Sequence, residues 1–210
     1  MKVSEKKERI LKSAKKLILE NGFKKTSIED ITNDVGIAKG SFYTVYSCKN
    51  DLLAEILQEN IEQRKNTYEK LLSKATSFEE AIKYYVEARF DFIKEHKSLE
   101  NTLVLVNLQR NIESLGENVK QLLVEFECYN RKIFIDILEE YNLNINMEDK
   151  ERYASFVNGG IKAIRMEKIF YKNNIDFFIS DGKEVLEKLK NIDINIEINK
   201  IAELIKNMII

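Results

Sequence analysis

Lys39, Ser41, Tyr43 and Thr44 fall on one outer face of a short segment behind Gly36, opposite Phe42 and Val45. A lysine, two hydroxyls and a phenol at that spacing offer hydrogen-bond donors and acceptors. They do not pair a nucleophile with a base. The chemistry they suit is recognition, through base edges and phosphates. The surrounding stretch, TSIEDITNDVGIAKGSFYTVYSCKNDLL (26–53), reads as a short helix, a tight turn at Gly36, a second short helix and the capped start of a third. That is the layout of a helix-turn-helix DNA reader.

Other chemistries have little to draw on. The chain holds one histidine, His96, and two scattered cysteines, Cys48 and Cys128. A zinc site or a Ser-His-Asp arrangement lacks its ligands, and the glycine-rich phosphate loops are absent from the sequence. No catalytic residue, metal or cofactor is expected. His96, in KEHKS near a helix end, reads as a solvated residue. Cys48 stands at a helix start beside Lys49, the kind of position at which reactive thiols are found. A weak helix cap there is the plainer reading than a redox switch.

The elements that position the reading face follow from punctuation and periodicity. With no prolines and seven glycines in 210 residues, helices can run long and an all-α fold is expected. INIEI (194–198) is the one strand-like stretch. A first helix is expected over Ser4–Glu20, with Ile10, Leu11, Ala14, Leu17 and Ile18 at helical spacing, ended by Asn21-Gly22. Ser27 and Asp30 form a capping box for the next helix, which turns Ile28, Ile31 and Val35 inward. Ile37 plugs the gap after Gly36, and the second short helix spans about Ala38–Val45. Longer helices are expected at Lys49–Ser73, Phe78–Glu95, Ser98–Asn111, Glu117–Tyr141, Glu148–Tyr171 and Ile196–Met208, with a short one at Lys183–Leu189. The domains read as 1–48, a three-helix head, and 49–210, a larger helical bundle. The 49–73 helix joins them as a lever.

Charge follows the same division. Residues 1–53 hold 11 Lys/Arg and 7 Asp/Glu, a net of +4, while the whole chain is −1. A basic head on an acidic body fits a nucleic-acid partner. No apolar run reaches the roughly 20 residues of a membrane span, and the charged first residues do not read as a signal peptide. The expected address is the cytoplasm, with no membrane partner.

Residues 5–53 resemble the DNA-binding domain of the TetR family of bacterial transcriptional regulators. The resemblance is carried by ILKSAKKLILENGFKKTSIEDI, by DVGIAKGSFY, and by Tyr43, Tyr46, Lys49, Leu52 and Leu53 at gapless spacing. Thr32 departs from the family's usual alanine, and Cys48 stands where serine or asparagine often caps the next helix. Over the rest of the chain the resemblance is one of layout, although ASFVNGGIKAIRMEKIF (154–170) looks like a helix that often forms a dimer face.

The resemblance implies that the Ala38–Val45 helix enters the major groove. Lys39, Ser41 and Thr44 would then meet bases, and Gly40 would let the backbone approach. Tyr43, Lys49 and Ser27 would contact phosphates, with Lys24 and Lys25 adding charge. It further implies a homodimer on a pseudo-palindromic double-stranded operator. Dimer candidates are the C-terminal helix and, on the 148–171 helix, Phe156, Gly159, Gly160, Ala163, Ile164 and Glu167. A helix break at Gly159-Gly160 is the alternative to close approach there. A pocket for a small hydrophobic or amphipathic effector would draw on Tyr84, Tyr85, Phe90, Phe92, Phe126, Tyr129, Phe134, Tyr153 and Phe156. The expected function is a ligand-responsive regulator, a repressor released by its effector. The alternatives are an activator, or a chromosome-organising protein of the same fold.

Overall fold

The computed structural model describes residues 3–94, 104, 108, 111–167, 171–173, 188 and 193–210. Every regular element among them is helical. In chain order these are α1 (Val3–Asn21), α2 (Ile28–Val35), α3 (Lys39–Phe42), α4 (Lys49–Leu72), α5 (Phe78–Lys94), α6 (Glu117–Glu140), α7 (Met147–Arg165) and α8 (Asn195–Ile209), with 3-10 turns at Ile112–Ser114 and Tyr171–Asn173. INIEI belongs to the start of α8, where Ile194 and Ile198 are buried at helical spacing.

The head forms because α1 lays Ile10, Leu11, Ala14 and Ile18 against Ile31 and Val35 of α2 and Phe42 of α3. Gly22 ends α1 with φ +80°, a left-handed turn that glycine takes without steric cost. Leu52, Leu53, Ile56 and Leu57 from the first turns of α4 complete this core. Each such fully buried side chain contributes about 1.5–3 kcal/mol. The same apolar cluster continues into Leu115, Val119, Leu123 and Phe126 at the start of α6. The head core therefore crosses residue 48 and includes part of the body.

In the body, α5 packs between α4 and α8, while α6 packs against α4 and α7. Tyr68, Ile82, Tyr85, Val86, Phe134, Leu138, Ala154 and Ile161 are central to its core. A buried polar knot ties it together. The Tyr68 hydroxyl donates to Asn130 Oδ1 at 3.1 Å, the Tyr85 hydroxyl to the Asn130 carbonyl at 3.1 Å, and Asn130 Nδ2 to the Phe126 carbonyl at 2.9 Å.

Two expected elements come out differently. The second short helix is regular only over Lys39–Phe42, and Tyr43–Val45 continue as turns. Aromatic and β-branched residues there lose rotamer freedom in a helix, and the Thr44 hydroxyl donates back to the Ser41 carbonyl at 2.8 Å. Of the expected Glu148–Tyr171 helix, Met147–Arg165 is α-helical, Met166 and Glu167 continue as π-helix and Tyr171 lies in a 3-10 turn, while 168–170 lie outside the described residues. Gly159-Gly160 does not break it, because α7 runs through both. The expected helices at 98–111 and 183–189 lie largely outside the described residues.

Candidate nucleic-acid interface

The presentation of the reading face begins at Ser27. Its hydroxyl oxygen accepts from the Asp30 amide at 3.1 Å, and Asp30 Oδ2 accepts from the Ser27 amide at 2.8 Å. The Ser27 hydroxyl also donates to Asp30 Oδ2 at 2.6 Å, and this bond, followed by that from the Ser27 amide, holds the Asp30 carboxyl below its ordinary 3.8. At the other end of α2, Gly36 takes φ +73° and closes the turn onto Asn33, while the Ile37 amide reaches the Thr32 carbonyl at 3.0 Å. Arg9 Nη2 donates to the Val35 carbonyl at 2.7 Å, so α1 also seals that end. Phe42, with no exposed surface, anchors α3 beneath.

Above that anchor the outer residues are displayed. Tyr43 is 52% exposed, and its ring meets Phe42 edge-on at 5.5 Å. Lys39, Gly40 and Thr44 are exposed and Ser41 is half-buried. The Lys39 ammonium lies 3.6 Å from Glu29 Oε2 with both groups in solvent. Such a pair is weak and readily exchanged for a stronger anion. A Cβ added at Gly40 would meet nothing within 4 Å, so the chain itself places no demand for glycine there. Lys24 and Lys25 are exposed on the α1–α2 loop.

Sequence reading missed Lys6, whose Nζ donates to Thr44 Oγ1 at 3.2 Å and brings another cation to the same face. The two residues are 38 apart, so no local pattern announces the pair.

Lys49 occupies a different environment from the other cations. Its Nζ donates to the Phe23 carbonyl at 2.7 Å and to the Thr26 carbonyl, and it sits 4.0 Å from the centre of the Phe23 ring. Burial draws its pKa down, with the charge of Asp30 opposing. The ammonium joins the first turn of α4 to the loop that carries Ser27. Cys48, which precedes it, caps α4 in extended conformation without a side-chain hydrogen bond.

The body candidates separate by burial. Tyr85, Phe90, Phe126 and Phe134 are buried, Tyr84, Tyr129 and Tyr153 are half-buried, and the side chain of Phe92 lies outside the described residues. Phe126 belongs to the head-side cluster, apart from Tyr85 and Phe134. Tyr129 lines a groove of about 650 Å³ between α4 and α6, together with Glu59, Glu62, Lys65 and Leu122. Phe156 stands 69% exposed on the outside of α7 and does not join the interior aromatics. Gly159, Ala163 and Glu167 are exposed with it, while Gly160 and Ile164 are half-buried. A Cβ at either glycine would meet nothing within 4 Å in the single chain.

No helix among the described residues is long and apolar enough to cross a membrane. Residues 10–56 match the model of bacterial regulatory proteins, tetR family. The HTH-type transcriptional regulator YerO of Bacillus subtilis is 29% identical over 140 residues, 65% of this chain and 46% of that protein. The HTH-type transcriptional repressor KstR2 of Mycolicibacterium smegmatis is 27% identical over 135 residues, covering 64% and 63%. The chain thus spans about half the length of the first and under two thirds of the second. The fold is shared with the fatty acid degradation regulator FadR from Bacillus halodurans, with a TM-score of 0.65 at 17% identity over 95% of this chain and 94% of that one.

Proposed function

We infer that this chain, which belongs to the TetR family of bacterial regulatory proteins through residues 10–56, is a ligand-responsive transcriptional repressor that acts as a homodimer in the cytoplasm. The observation that carries the reading is the outward display of Lys39, Tyr43 and Thr44 on a segment anchored by buried Phe42. Lys39, Ser41 and Thr44 meet base edges in the major groove, with Gly40 allowing close approach. Tyr43, Lys24, Lys25 and the start of α2 at Ser27 face phosphates. Lys49 serves binding by holding the α1–α2 loop against α4.

The dimer forms through the exposed strip of α7, with Phe156, Gly159 and Ala163 at its centre, and the two reading segments meet half-sites about 34–36 Å apart or a multiple of that. A small amphipathic effector in the body releases the operator by favouring a conformation in which α4 sets the heads at a different separation. KstR2 supports the repressor sign by its name, and FadR supports an effector or target linked to fatty acids. Selection of bound duplexes from random DNA, followed by affinity against salt on the winner, tests the proposal. A pseudo-palindrome bound by dimers is the expected result. Selection of no sequence by the purified protein overturns it.

A further inference from the structure

The hydroxyl of Thr44 is engaged by the protein as donor and as acceptor. It donates its one proton to the Ser41 carbonyl at 2.8 Å and accepts from Lys6 Nζ at 3.2 Å. The first bond has a local cause. In a continuing helix the Val45 amide would reach Ser41, but here it goes to the Phe42 carbonyl at 2.9 Å. The Thr44 hydroxyl supplies the Ser41 carbonyl, a local bond that threonine commonly makes to its own backbone. The second bond comes from the first turn of α1, 38 residues earlier. Thr44 is nevertheless exposed on the reading face.

These bonds decide what Thr44 can offer a base. With its proton on Ser41, the hydroxyl cannot donate to guanine O6 or N7, to adenine N7 or to thymine O4. Its oxygen is drawn back to two protein partners, which leaves Cγ2 as the group free to meet a base edge. In the major groove the matching apolar group is the C5-methyl, carried by thymine alone. Lys6 is set up for a different partner. Lys7, Lys15 and Lys16 of the same helix pair with Glu55, Glu59 and Asp34. Lys6 has no such carboxylate among the described residues, and its partner is the neutral Thr44 hydroxyl. An ammonium carries three donors, so two remain for phosphate oxygens while one stays on Thr44.

We propose that Thr44 selects a thymine in each half-site through its methyl group, and that Lys6, bonded to the Thr44 hydroxyl, clamps a backbone phosphate beside that base. The proposal rests on the reading of the head as a DNA reader and specifies the base and the cation. Lys6 and Ser41 together fix the hydroxyl, and so fix the direction of the methyl before DNA arrives. The contact therefore costs little side-chain ordering on binding. The base contact carries sequence information, while the phosphate contact carries register and salt dependence. The first turn of α1 thereby becomes part of the reading surface, although it lies outside the helix-turn-helix.

The test uses the full chain and the duplex it selects from random DNA. Each thymine of a half-site is replaced in turn by deoxyuridine, which lacks the methyl and keeps O4 and the pairing edge. At one thymine per half-site, demethylation is expected to weaken binding of the unmutated chain about fourfold, the value of one buried methyl. Thr44→Ser deletes the protein's methyl and is expected to be indifferent to deoxyuridine at that position. Thr44→Val keeps a methyl without the hydroxyl and is expected to remain sensitive. Lys6→Met should weaken all duplexes and lower the slope of log affinity against log salt by about 1 per protomer. The proposal is overturned if no half-site thymine responds to demethylation, or if the response in Thr44→Ser equals that of the unmutated chain. Loss of the response in Thr44→Val, or an unchanged slope in Lys6→Met, also overturns it. The deoxyuridine scan of the unmutated chain can reject it without any variant. Failure to select any duplex sinks the regulator reading, whereas a selected duplex with no thymine coupled to Thr44 sinks this assignment alone.

Discussion

The ammonium of Lys49 lies 4.0 Å from the centre of the Phe23 ring and donates to the carbonyl of the same residue at 2.7 Å. One side chain of the lever helix thus grips both the ring and the backbone of the loop that leads to α2. Removing it strands two part-buried carbonyls, at Phe23 and Thr26. Lys49→Ala is expected to lower stability by about 1–3 kcal/mol. It should weaken operator binding through misplacement of α2. The slope of log affinity against log salt separates this from a phosphate contact, whose loss reduces the slope by about 1. An unchanged slope is the expected outcome.

The capping box at Ser27 carries a pH signature. Because the folded state holds the Asp30 carboxyl below its ordinary 3.8 through Ser27, the folded protein favours the ionised form. Its contribution is therefore complete above that ordinary value and lost as pH falls through the lower folded one. The stability gap between the unmutated chain and Asp30→Asn should be full at neutral pH and close in acid. Ser27→Ala should lower Tm by about 2–4 °C at neutral pH. A gap that persists in strong acid would contradict the assignment.

On the reading face, Lys39 and Tyr43 should fail differently. Lys39→Ala is expected to cost about 1–3 kcal/mol on the best operator and to relax preference at one base pair of each half-site. Tyr43→Ala should weaken all sequences alike. Competition between single-base operator variants distinguishes the two.

Gly159 offers a test with opposite signs in monomer and dimer. Within the chain its Cβ position is open, so Gly159→Ala should stabilise α7 by about 0.5–1 kcal/mol. If a partner helix packs there, the added methyl pushes it away. Sedimentation should show a weaker dimer for Gly159→Ala and a largely monomeric protein for Phe156→Glu, both with helical content retained. An unchanged dimer in both variants would move the interface elsewhere.

Asn130 links three buried groups, and its removal should be felt across the body. Asn130→Ala leaves the Tyr68 hydroxyl without its acceptor and opens a small void. A loss of about 2–4 kcal/mol in denaturant unfolding is expected.

The head was readable from sequence because its signals are short-range. Ser27 and Asp30 are three residues apart, and Gly36 marks its own turn, so spacing alone announces both. The shortened α3 was not foreseen, since the helical positions of Phe42 and Val45 masked the poor propensity of Tyr43-Thr44-Val45. Lys49 against Phe23, Lys6 against Thr44 and Arg165 against the Arg89 carbonyl join residues 26, 38 and 76 apart. No periodicity encodes such meetings, because helix packing creates them. The exterior position of Phe156 was equally hidden, as an aromatic residue reads as interior until its helix face is known.

The apolar cluster that runs from Ile10 through Leu53 into Val119 and Phe126 limits how portable the head is. Gly116, at the start of α6, sits so close to Asn50 that a Cβ there would come within 2.8 Å of its amide. A chimera that grafts residues 1–48 onto another regulator would leave half of that cluster behind. A working transplant has to carry the first turns of α4 and a matching α6 start with it. Swapping specificity between such proteins is therefore a problem of grafting a seam, and exchanging the reading residues in place is the more conservative route.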